Sequence, residues 1–168
     1  MTSAEKMVEL WGIHTALTRL VVIGKFQRLA ETDATAARLL MNQDDLGAMF
    51  LPKFGPKVAK LVRGLLRVHI EQAGGILDAI RDGQMNLVEP RLAEWHANGR
   101  QIADSLTSLP SNPFPKEVWR HHMREHLDIL TRQILSYRDA RHEESLMWFL
   151  RGTAQAANMG LAMSKLLL

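Results

Sequence analysis

Cysteine is absent from the 168 residues. Disulfide scaffolds, thiolate metal centres and cysteine nucleophiles are therefore excluded. Charge of one sign is also scarce: 21 Lys and Arg stand against 18 Asp and Glu, a net charge of +3. So small and interspersed an excess argues against a dedicated nucleic-acid binder. No apolar run approaches the roughly 20 residues of a membrane span. Glu5, Lys6 and Glu9 precede any apolar stretch, unlike a secretory signal. The expectation is a cytoplasmic protein with no membrane and no nucleic acid among its partners. Gly12, Gly24 and Gly47 are isolated, so no phosphate-cradling loop is spelled out. A nucleophile elbow is missing, and so are the paired carboxylates that glycoside hydrolysis needs.

What remains is an ordinary globular composition, 46% hydrophobic and 23% charged, long enough for one domain with a real core. Only helical periodicity runs through it. Thr2 and Glu5 form a capping box that opens an amphipathic stretch to about Ala30. Asp33 caps a short piece from Ala34 to about Met41, which Asn42-Gln43-Asp44-Asp45 interrupts. Pro52 and Gly55-Pro56 mark a loop, followed by a long helix from Lys57 to Arg81. Its Gly74-Gly75 pair should weaken or kink it, or admit a neighbouring helix. Glu89-Pro90 suits the first turn of the next helix, which reaches about Leu109. Pro110 to Pro115 is the clearest connection. Helices from Lys116 to about Tyr137 and from Asp139 to Met163 complete the chain. The fold class is all-α: residues 1–168 form a single antiparallel bundle of four to five long helices, with a short helix after the first.

Against no cysteine stand seven histidines. His14 shares a helical stripe with Leu10, Leu17 and Val21; His69 lies between Leu65 and Ile76, with Gln72 beside it. His126 sits among Trp119, Met123 and Leu130, and His142 precedes Leu146 and Phe149. Four helices thus each place one His on an apolar face, where a lone imidazole is costly unless its nitrogens find partners. Asn98, Gln72 and Thr18 are polar neighbours for such a pocket. Asn42 and Gln43 either cap adjoining helices or point into it. His121 reads as surface, His96 as boundary packing. The stripe Lys53, Lys57, Lys60, Arg63 and Arg67 reads as a solvated face.

His122 and His126, four residues apart, also form a bidentate clamp that His69 would complete. This set on a helical bundle resembles the DinB-like metal-binding bundles. Ferritin-like and hemerythrin-like patterns fit less well: Ala73 and Met147 occupy positions where the latter needs acids, and only Asp139-x-x-His142 approaches the former.

A second resemblance spans residues 10 to 142. Leu10-Trp11-x-x-His14-x-x-x-Thr18-Arg19, Arg38-Leu39-Leu40-x-Asn42-Gln43-x-Asp45-x-Gly47, Pro52-x-x-Gly55 and Leu65-Leu66-x-x-His69-Ile70 occur in order. Trp95-x-x-Asn98, Asn112-Pro113 and His126-Leu127 follow. Together they resemble a family of small, uncharacterised bacterial all-helical proteins. The resemblance implies a bundle, attaches no reaction to it, and selects His14, His69, His126 and His142 over His122.

The expected site is a His-lined pocket holding a divalent metal (Zn, Fe, Mn or Ni) through His69 and His126. His14, His122 or His142 completes the shell, and open positions serve a small-molecule ligand or water activation. Bis-histidine haem is a minor variant. The competing expectation is a non-enzymatic interaction module whose histidines are satisfied core residues, with a homodimer as one form. Its apolar Met159–Leu168 segment either docks on a partner or packs in its own core.

Overall fold

The computed structural model describes all 168 residues, in six helices and no strand. They are α1 (Ser3–Gln27), α2 (Thr32–Ala48), α3 (Leu51–Arg81), α4 (Met85–Thr107), α5 (Lys116–Arg138) and α6 (His142–Leu166). Each helix packs on its neighbours in sequence, and α1 packs on α6, which closes the set around a shared core. Trp11, Trp95 and Trp119 are fully buried there with Met7, Leu66, Ile102, Leu127 and Met159. The capping box forms as expected: Thr2 Oγ1 accepts from Glu5 N at 3.2 Å, and Glu5 Oε2 accepts from Thr2 N at 2.7 Å.

Several boundaries differ from the sequence expectation. Asn42–Asp45 does not interrupt α2, because tertiary bonds hold it helical. Asn42 Nδ2 donates to Leu10 O across to α1, and Gln43 Nε2 donates to Leu39 O one turn back. At 17 residues α2 is still the shortest helix. The segment expected as a loop at Pro52 instead begins α3 with one turn, broken at Gly55 (φ 77°) before Pro56. Only glycine takes that backbone readily. Gly74-Gly75 produces no break. Gly75 O instead accepts from Arg91 Nη1 of α4. Helix α4 starts at Met85, a turn before the expected position, leaving Pro90 inside it. The basic stripe of α3 is solvated as expected, and Arg67 pairs with Asp44 at 3.0 Å.

The Met159–Leu168 segment packs largely on its own core: Met159, Met163 and Leu166 are buried, whereas Leu161 and Leu168 are exposed. Contrary to the sequence expectation, α1 is long and apolar enough by composition to span a membrane. In this fold it contributes Met7, Leu10, Trp11, Val21 and Val22 to the core.

Helix α2 approaches α3 tightly at Gly47. A Cβ there would lie 2.6 Å from Arg63 Cβ and 3.0 Å from its Cα. Backbone cannot yield as a side-chain tip does, so Gly47→Ala should cost roughly 1–3 kcal/mol despite its better helix propensity. Urea denaturation would show the lowered midpoint; an unchanged or raised midpoint would refute the close-packing account.

Candidate functional site

Three of the apolar-stripe histidines meet. The His14 and His126 ring centroids are 5.6 Å apart, and those of His69 and His126 are 6.1 Å apart. His126, from α5, is the centre of the group, with His14 reaching it from α1 and His69 from α3. All three are buried. Indoles wall the cluster. Trp95 stacks on His69 at 5.0 Å and donates its Nε1–H to His69 O. Trp11 lies 5.0 Å from His14 and edge-on to His126 at 5.7 Å.

Carboxamides on the surrounding helices fix the imidazole tautomers. Asn98 Nδ2 donates to Leu65 O at 3.1 Å, so Asn98 Oδ1 is left as an acceptor. His69 Nδ1, 2.8 Å from that oxygen, must therefore be the donor. Gln155 repeats the arrangement: its Nε2 donates to His122 O, and its Oε1 accepts from His126 Nδ1 at 3.2 Å. A neutral ring protonated at Nδ1 carries a lone pair at Nε2. Both Nε2 atoms, of His69 and of His126, are buried without a partner. Trp11 Nε1 is a third buried, unpartnered polar atom in the same region. His14 Nδ1 faces a carboxamide of α2. Gln43 Nε2 donates to it at 3.2 Å, which leaves the His14 proton on Nε2, while Asn42 holds Gln43 by accepting from its Nε2 and donates to Leu10 O.

Burial holds all three rings neutral. Desolvation pushes His69 down to about 3 and His126 to about 4, with the Asn98 and Gln155 bonds opposing it. His14 also falls well below the ordinary imidazole value, chiefly through burial and then through repulsion from His126 and His69.

A cavity of about 170 Å³ adjoins the cluster between α1, α2, α3 and α5. His14, His69, His126 and Trp95 lie at one end; Val21, Val22, Leu39, Leu77 and Ile134 line its sides. Thr18 also lines it, its hydroxyl donating to His14 O at 2.7 Å. Lys25 and the exposed Glu71 belong to its rim, where Lys25 Nζ pairs with Asp78 at 2.6 Å.

The remaining expected site residues lie elsewhere. His142 is not on a core face. It is exposed in the first turn of α6 and packs against Tyr137 at 5.0 Å. His122 is half-buried beside Trp119 and His121 and does not line the cavity. Gln72 is half-buried, is not among the lining residues, and keeps Oε1 unpartnered. Asn98 and Gln43 contact the rings directly, Asn42 bonds Gln43 and Leu10 O, and none of the three lines the cavity. Sequence reasoning missed Gln155. A signal for it existed: it is a lone amide on the small, apolar α6 face of Gly152, Ala156 and Met159.

No three His, Asp or Glu side chains are placed to hold an ion jointly as they stand. Comparison with protein-family models, curated proteins and solved structures finds no significant match to this chain.

Proposed function

We propose that this protein is an antiparallel helical bundle that binds a divalent metal at His69 and His126, with His14 completing the shell once its ring gives up the bond that Gln43 Nε2 donates to its Nδ1. The antiparallel reading is supported by paired contacts along neighbouring helices. Trp95 meets His69 while Asn98 meets Leu65, and Ser145 meets Gln133 O while Gln155 meets His122 O.

One observation carries the metal reading: two buried imidazoles keep bare Nε2 lone pairs while side-chain amides hold both Nδ1–H groups. Metal-ligating histidines characteristically bond their second nitrogen in this way. Distances are compatible. Two rings bound to one ion at about 2.1 Å in tetrahedral geometry have centroids roughly 5 Å apart. The observed 5.6 and 6.1 Å need a closure of up to about an ångström onto His126, and His14 and His69 must also draw together for all three to share one ion. All-imidazole donors suit Zn, Fe, Mn or Ni rather than Ca or Mg. A bound ion would supply Lewis-acid and water-activating chemistry at its open positions. Trp11 Nε1, a buried donor with no acceptor, suits an oxygen bound there.

The competing reading, a metal-free bundle with satisfied histidines, is disfavoured by the two unpartnered Nε2 atoms. Elemental analysis of untagged protein, followed by zinc titration calorimetry, tests the proposal. One ion per chain is expected, lost in both His69→Ala and His126→Ala. A protein that takes up no metal, and whose melting temperature ignores added Zn, Fe, Mn and Ni, would rule it out.

A further inference from the structure

The cavity beside the imidazoles is large enough for more than water, and its walls say what it would accept. About 170 Å³ is slightly more than the roughly 150 Å³ of a buried apolar cavity that holds benzene. Val21, Val22, Leu39, Leu77, Leu130 and Ile134 enclose most of it. A sugar, nucleotide or amino acid would bury several polar groups there without partners, at high cost. Inside the rim, where Lys25 is already paired with Asp78 and Glu71 is exposed, the unpartnered polar atoms are the Nε2 acceptors of His69 and His126 at the imidazole end.

Gly74 supports reading this space as a site. It lines the cavity from inside α3, where a glycine weakens a helix by about 1 kcal/mol relative to alanine. No close approach of another helix requires it: a Cβ at Gly74 would meet nothing within 4 Å. Ala73 and Ala36, also lining, keep the walls small. A local choice that sacrifices helix stability without a packing return is characteristic of functional positions.

We infer that this cavity binds a small apolar molecule of about benzene size with a single hydroxyl, of the phenol class. Its ring would lie between Val22, Leu39 and Leu77, and its oxygen toward His69 and His126. The placement of the oxygen rests on the imidazole site proposed above; the placement of the apolar body rests on the cavity alone.

Phenol titrated into chelator-treated protein, followed by amide NMR, tests the inference. Saturable shifts at residues lining the cavity are expected, with a dissociation constant of about millimolar. Gly74→Leu and Ala36→Leu fill the cavity from different helices. Each should weaken phenol binding at least tenfold while the melting temperature of Gly74→Leu stays equal or rises. Absence of saturable binding to the wild type, or undiminished binding in both filled variants, overturns the inference. A parallel zinc titration separates the two readings. Zinc binding without phenol binding rejects only the cavity ligand; phenol binding without zinc binding supports the cavity ligand and rejects only the metal.

Discussion

Acidification of the metal-free protein should unfold it between about pH 5 and pH 4, with stability already falling from about pH 6.5, where simple carboxylates do not yet titrate. The cause is proton uptake by the unfolded chain. There His14, His69 and His126 titrate near 6.5, whereas in the fold burial holds His69 at about 3 and His126 at about 4, with His14 also lowered. A depressed imidazole value means the native state prefers the neutral ring. The contribution is therefore fully present above pH 6.5 and is lost as pH falls from there toward the folded values. Within that window the unfolded state binds up to three more protons than the native state. Each proton changes the unfolding constant tenfold per pH unit, so three together reach roughly 4 kcal/mol per unit. Domains of this size have about 5–15 kcal/mol at neutral pH, which two pH units at that slope can exhaust.

Urea midpoints at pH 7.5, 6 and 5 would measure the slope. His126→Leu should reduce it by about one third, because one linked proton disappears. A slope that is the same in wild type and His126→Leu would show that other groups drive the transition. The lowered carboxyls of Asp82, Asp104 and Asp139 sit in exposed pairs with arginines. Their stabilising contribution is present above about pH 4 and is lost only below it, at the low end of the imidazole window and after the steepest part of the transition. Bound zinc should shift the whole transition toward lower pH, since protons and metal compete for the same lone pairs.

How much of this was legible in the sequence follows from what periodicity can report. A 3.6-residue stripe shows which side of a helix is apolar, and that placed His14, His69 and His126 inward. It does not give axial height. Their meeting at one level depends on interhelical contacts such as Asn42 with Leu10 O and Trp95 with His69 O. His142 was misplaced because the large residues of α6, Leu146, Met147 and Leu150, are exposed. The buried face is Ser145, Gly152, Gln155, Ala156 and Met159. Small residues there let Gly152 approach Ile129 and Gly160 approach Val8 and Trp11. A hydrophobic projection reads such a face as polar or neutral and selects the wrong one. The continuity of α2 through Asn42–Asp45 is the same lesson in backbone form. Amides that favour turns in isolation stay helical when their side chains are bonded to other main-chain oxygens.

Replacing Asn98 by leucine is the sharpest test of whether the amides behind the imidazoles serve metal binding or packing. Asn98 spans two partners, accepting from His69 Nδ1 at 2.8 Å and donating to Leu65 O at 3.1 Å. Leu65 O keeps its helical donor when the side chain goes. His69 does not recover so easily. Whichever ring nitrogen carries the proton is then buried without an acceptor, which costs about 2 kcal/mol. Tautomer control disappears at the same time, so the proton is no longer kept on Nδ1 and off the Nε2 lone pair, and zinc affinity should fall about 10- to 100-fold. A stability loss alone would not distinguish the two roles, and Asn112→Ala provides the comparison. Asn112 ties the Pro110–Pro115 connection to α5, accepting from Trp119 Nε1 at 3.0 Å and donating to Phe114 O at 2.7 Å. Its removal should lower the urea midpoint by a similar amount while zinc affinity stays at the wild-type value. Should Asn98→Leu lose stability yet bind zinc as tightly as wild type, Asn98 is a packing residue, and the orientation of His69 is not what prepares it for a metal.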